Sequence, residues 1–95
     1  MHMRIVSGTF KAGQIDEMAK RWEANVGARL KQQPGFRHAY FVGNREQNTA
    51  VGVTLWDTPP DMATMNQIMQ QFQGQIGDIA AGAPTAENYE VLVEL

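Results

Sequence analysis

Gln33-Pro34-Gly35-Phe36-Arg37-His38-Ala39-Tyr40-Phe41-Val42-Gly43-Asn44-Arg45-Glu46-Gln47-Asn48-Thr49-Ala50-Val51-Gly52-Val53-Thr54-Leu55-Trp56-Asp57-Thr58-Pro59-Pro60-Asp61 is the stretch that decides the fold. Pro34 cannot donate to a helical ladder, and Gly35 tolerates the backbone needed to turn from helix into strand, so a helix closes here. Phe36 to Val42 and Thr49 to Trp56 are β-rich runs, and the polar segment Gly43 to Asn48 predicts a turn between them. Thr58-Pro59-Pro60-Asp61 reads as a capping-box-like start with proline at the first helical position, which predicts a second helix from Pro59. The stretch is a hairpin between two helices.

Working outward, Met3 to Phe10 alternates in a way that suits a strand with apolar groups on both faces. Gln14 to Gln33 changes period. Ile15, Ala19, Trp22, Val26 and Leu30 recur at helical spacing, with Asp16 and Glu17 near the start and Arg29 and Lys31 near the end, matching the helix dipole. Asp16 with Lys20 and Glu17 with Arg21 are expected ion pairs on the exposed side. After Pro59, Met62, Met65, Ile68, Met69, Phe72, Ile76 and Ile79 form one stripe, with a break expected near Gly74 and an end by Gly82. Ala83 to Ala86 reads as a loop and Tyr89 to Leu95 as a fourth strand.

The order β-α-β-β-α-β predicts the α+β, ferredoxin-like split arrangement: a four-stranded antiparallel sheet with two helices on one face. A four-residue turn at Asn44 to Gln47 would put Phe36, His38 and Tyr40 beside Val51, Val53 and Leu55, an apolar set assigned to the helices. Arg37, Ala39, Phe41, Ala50, Gly52, Thr54 and Trp56 then fall on the open face, too apolar for water, which predicts a second sheet packed there and a homodimer. A slip of one residue would exchange the two sets.

The 95 residues, 43% hydrophobic, predict one domain spanning 1–95. The net charge of -2, with scattered basic residues, argues against nucleic acid. There is no cysteine for disulfides, thiolate catalysis or metal ligation, and two distant histidines make no metal set. No apolar run approaches the roughly 18 residues of a membrane span, and the N-terminus lacks a signal-peptide core. A cytoplasmic location without membrane association is the expectation.

A helix closing on Pro34-Gly35-Phe36, a hairpin ending in Trp56 and a short acidic turn into a second helix resemble the antibiotic biosynthesis monooxygenase (ABM) domain family, along nearly the whole chain. The resemblance implies a dimeric α+β barrel and a pocket lined or bordered by Trp56; Trp56 also reads as a plain packing anchor. The family's haem-degrading branch would align Ser7, Trp56 and Asn66 with its Asn, Trp and iron-ligating His, so haem is not expected. Its cofactor-free branch, whose Asn, Tyr and Trp would fall at Gly52, Val53 and Trp56, implies oxidation of polyphenols without any cofactor.

His38 is the candidate base and Tyr40 the candidate donor to a substrate oxygen, both expected to look toward the helices; a functionless half-buried strand histidine is the other reading. Trp22, Trp56, Met65, Met69 and Phe72 are the expected pocket residues, with the methionines a deformable lining or ordinary core. Arg4, Asp57 and Glu90 read as edge or interface charges. The function expected is a cofactor-independent monooxygenase-like protein acting on a small aromatic or enolisable compound. The alternative is a non-catalytic dimeric module that binds a small ligand or assembles. An enclosed pocket reached by His38 and Tyr40 would favour the first, and one filled by Met65, Met69 and Phe72 the second.

Overall fold

A computed structural model describes all residues from Met1 to Leu95. Its four strands are β1 (His2–Thr9), β2 (Phe36–Asn44), β3 (Thr49–Trp56) and β4 (Thr85–Glu90), in the sheet order β2-β3-β1-β4. Every neighbouring pair is antiparallel. This is the ferredoxin-like arrangement that the element order predicts.

The first helical rod is continuous but changes pitch: α1 (Ile15–Arg21), a π-helical segment (Trp22–Gly27) and α2 (Ala28–Leu30). Its apolar residues explain the change. Met18, Trp22, Val26 and Leu30 are each four apart, so on a 3.6-residue turn they would drift around the rod, whereas a wider turn keeps them in line. Glu17 pairs with Arg21 at 3.0 Å as expected, but Asp16 reaches across to Arg45 at 2.6 Å rather than to Lys20. Arg21 also holds both oxygens of Asp78, at 2.8 and 3.2 Å, and so ties this rod to the turn after the second helix.

The second helix, α3 (Met62–Gln75), begins later than the sequence implies. Its N-cap is Asp61, whose Oδ2 accepts from the Thr64 amide at 3.3 Å and hydroxyl at 2.6 Å, leaving both prolines ahead of the helix. The ladder stops one residue past Gly74, and Ile76 and Ile79 continue the buried stripe from a turn. The last strand is also displaced: β4 is Thr85–Glu90, not Tyr89 to Leu95. Its partner β1 starts at His2, so the ladder ends with Glu90 opposite His2. Leu92, Val93 and Leu95 lie beyond it, exposed.

The hairpin is antiparallel as expected, but its turn is Arg45 to Asn48, so the register lies two residues from the expected one, with His38 opposite Leu55 and Tyr40 opposite Val53, and its two faces are exchanged. Ala50, Gly52, Thr54 and Trp56 are buried against the helices, while Val51, Val53 and Leu55 are only half-buried on the open side. A bulge between Phe36 and His38 makes Arg37 the extra residue and puts Phe36 opposite Trp56 on the helix side. The reason is volume. The helices bring Trp22, Val26, Leu30, Met65, Ile68 and Phe72 to the interface, and a close-packed layer can accept that bulk only over small sheet residues. At Gly52 even a Cβ would stand 3.3 Å from Trp22 Nε1.

Candidate functional site

Between the helices and the covered sheet face lies a cavity of about 250 Å³, open at one side. One wall follows β1 from Arg4 to Phe10, so the space is a slot running along that strand. Trp22, from the π-helical segment, forms part of the opposite wall and packs on Phe41 with ring centroids 5.3 Å apart. Met65, Met69 and Phe72 of α3 also line the slot without filling it. Thus four of the five expected pocket residues meet at one space.

Trp56 does not reach that space. Its side chain is fully buried, packed edge-on against Phe36 at 5.4 Å and 75°, and its indole N–H donates to Thr54 Oγ1 at 2.8 Å. It borders instead a second cleft, shared with Arg4, Met62 and Asn88. Trp22 is the opposite case: the indole N–H makes no hydrogen bond to the protein, and no sealed side-chain nitrogen is left without a partner, so this donor stays accessible. The two tryptophans therefore divide the labour, one anchoring and one facing the slot.

The placement expected for His38 and Tyr40 is corrected. Both project from the open face, exposed, Tyr40 by 56%, and neither touches the cavity. The exchange of faces is the cause, since it carries every odd-numbered residue of β3 and its cross-strand partners away from the helices. Asn66, at the position where the haem-degrading branch has its ligand, is exposed on α3. No group of three or more His, Cys, Asp or Glu side chains is placed to hold a metal.

Arg4 was missed by sequence reasoning, which took it for an edge charge. It is 5% exposed, lies on the covered face opposite Thr54, and is the one charged side chain on the cavity wall. Burial lowers its pKa from the ordinary arginine value. The signal available in the sequence was its spacing: Arg4, Val6 and Gly8 alternate on one face, with Gly8 opposite Ala50 among the small residues. Around Arg4 the walls offer only apolar groups, a few hydroxyls, Gln73 and the Trp22 N–H, with no acid or base. No helix is long and apolar enough to cross a membrane.

No family model matches the sequence, and no curated protein matches it. Solved structures do match. The monooxygenase from the gene ActVA-Orf6 of Streptomyces coelicolor, in complex with nanaomycin D, superposes with a TM-score of 0.77 at 12% identity, over 99% of this chain and 89% of that one. SnoaB, a cofactor-independent oxygenase from Streptomyces nogalater, matches with a TM-score of 0.71 at 14% identity, over 99% and 95% of the two chains. A further antibiotic biosynthesis monooxygenase matches at 0.69 and 14% identity, over 98% of this chain and 100% of its own. At such identities it is the fold that is shared, and the fold of this chain is that of the antibiotic biosynthesis monooxygenase domain.

Proposed function

We propose that the chain binds a flat, largely apolar small molecule in the slot beside Trp22 and oxygenates it without a cofactor. The observation that carries this reading is the unfilled apolar cavity, at the small end of ligand sites and bounded by adaptable methionines. The ActVA-Orf6 and SnoaB likenesses add that the same fold serves oxygenation in those proteins.

A cavity without acid or base suits a substrate that ionises by itself. A phenolic or enolic compound loses a proton to water, and its carbanion-like form joins oxygen to give a peroxide. That peroxide takes up a proton and then loses water, so the ring carbon ends as a carbonyl: one oxygen atom gained, two hydrogens lost, one water formed. The protein's part is to exclude bulk water, hold the ring flat, and offer the Trp22 N–H to the developing oxyanion.

Oxygen uptake with a naphthohydroquinone in the presence of a chelator tests this. Turnover should yield a product heavier by one oxygen and lighter by two hydrogens, with Trp22→Phe lowering kcat by about 10²-fold. Binding without turnover above the spontaneous rate would leave the non-catalytic module, which the missing acid and base favour. A cytoplasmic homodimer completes the proposal. The half-buried Ile5, Val51, Val53 and Leu55, with exposed Tyr40 and Val42, make an apolar face that a second copy would cover.

A further inference from the structure

Arg4 is enclosed, yet no carboxylate neutralises it. The ion pairs of the molecule are Arg21 with Glu17 and Asp78, Arg37 with Asp57, and Arg45 with Asp16. Both polar contacts of Arg4 leave from one nitrogen: Nη1 donates to Asn88 Oδ1 at 3.2 Å and lies 4.0 Å from Met62 Sδ. Nε and Nη2 donate to nothing in the protein. Because no sealed side-chain nitrogen lacks a partner, these donors open onto accessible space; Arg4 lines both the main slot and the cleft beside Trp56, with its Nη1 partners Asn88 and Met62 on the cleft side.

A guanidinium keeps its proton even when burial works against it. A buried cation without a counter-ion destabilises a fold, and an anion arriving from outside would offset that cost. The free edge states which kind. Nε–H and the adjacent Nη2–H point in parallel, the two-donor geometry that matches two oxygens of one carboxylate, whereas a phenolate would engage a single donor well. The backbone beneath is fixed, since the Thr54 hydroxyl donates to the Arg4 carbonyl at 3.5 Å and accepts from Trp56.

We propose that Arg4 is a binding residue for a carboxylate on the ligand, so that the slot selects flat aromatic acids, with the acid group at the Arg4 end and the rings along Trp22, Met69 and Phe72. This rests on the ligand-binding reading above and narrows its substrate class.

Titration calorimetry with 2-naphthoate, its methyl ester and 2-naphthol separates the outcomes. The acid should bind at least about tenfold more tightly than the ester. Arg4→Met, which keeps an apolar stem of similar length, should bring acid and ester to equal affinity. Arg4→Lys should retain only part of the preference, because it keeps the charge and loses the two-donor edge. Equal binding of acid and ester by the unmodified protein overturns the role of Arg4 and leaves the cavity reading standing, as does an acid preference that survives Arg4→Met. Tighter binding of 2-naphthol than of the acid overturns the carboxylate assignment. Failure of all three compounds to bind overturns the ligand-binding reading itself. If circular dichroism finds Arg4→Met unfolded, the acid-to-ester ratio of the unmodified protein and its reduction in Arg4→Lys decide.

Discussion

Both faces of the sheet carry apolar residues, and the two are used in different ways. The covered face is built from Ala39, Ala50, Gly52 and Thr54, with Trp56 at its end, and receives the bulk of the helices. The open face carries the larger β-branched and aliphatic residues Ile5, Val51, Val53 and Leu55 yet has no layer of its own chain above it. What the difference teaches is that burial follows complementarity of volume, not hydrophobicity alone. A row of small residues makes room for a tryptophan and an open slot, and a row of large ones is left facing outward.

The comparison can be broken most sharply at Trp56. Trp56→Ala removes the one large side chain that is wholly enclosed and should cost about 3–5 kcal/mol in urea denaturation. A loss below about 1 kcal/mol would mean that the covered face is not the core. On the open face, Val53→Asp should leave the protomer folded while converting the proposed dimer to monomers, since it places an unpaired charge in the apolar contact. Sedimentation velocity reads this directly. An unmodified protein that runs as a compact monomer at micromolar concentration would remove the dimer.

Gly52→Val sharpens the same contrast from the covered side. Its new side chain must displace Trp22, at a cost of about 1–3 kcal/mol, and push the indole into the slot, so binding of naphthoate should weaken along with stability. If binding is unchanged, Trp22 does not wall the ligand site.

The smallest effect is expected at Asp78. Two hydrogen bonds from Arg21 hold its carboxyl below the ordinary value of 3.8. A carboxylate depressed in the folded state contributes stability above its unfolded pKa, and that contribution is lost as the pH falls through the lower folded value. Asp78→Asn should therefore lower Tm slightly at neutral pH and leave a shallower decline of stability below about pH 4. Both differences should shrink with added salt, because the pair is exposed.

Much of the fold was legible because it rests on local rules. Pro34-Gly35 turns the chain into β2, although the first rod already ends at Leu30 and not at Gln33; the polar run from Gly43 sets the hairpin, and periods of two and near four mark strands and helices. The boundaries that moved did so for reasons outside the local pattern. Asp61 outcompetes Thr58 as the cap because Thr64 lies within its reach. The final strand lies earlier because its ladder with β1 runs from Ser7 opposite Thr85 to His2 opposite Glu90, a pairing no local pattern announces.

The candidate site was less legible. Trp22, Met65, Met69 and Phe72 were found because a helix stripe points its residues to the core whatever lies opposite. His38 and Tyr40 were misplaced together, through one error of face, while Arg4 was read as an edge or interface charge. In a strand apolar on both sides, alternation divides the residues into two sets without saying which set is covered. The π-helical segment that aims Trp22 left only a faint trace, the run of four-residue spacings from Met18 to Leu30.

By itself the sequence determined the element order, the antiparallel pairing of the hairpin and, apart from Phe36 and Arg37 at the bulge, which hairpin residues share a face, because these depend on turn chemistry and on a side-chain period of two. Only the tertiary structure decided which face is inside, because that depends on the volumes two separate helices bring to the sheet. The same choice buried Arg4 without a counter-ion, turned His38 and Tyr40 outward, and put Trp22 over Gly52, so the chemistry of the slot is a property of the packed layers and not of any one segment.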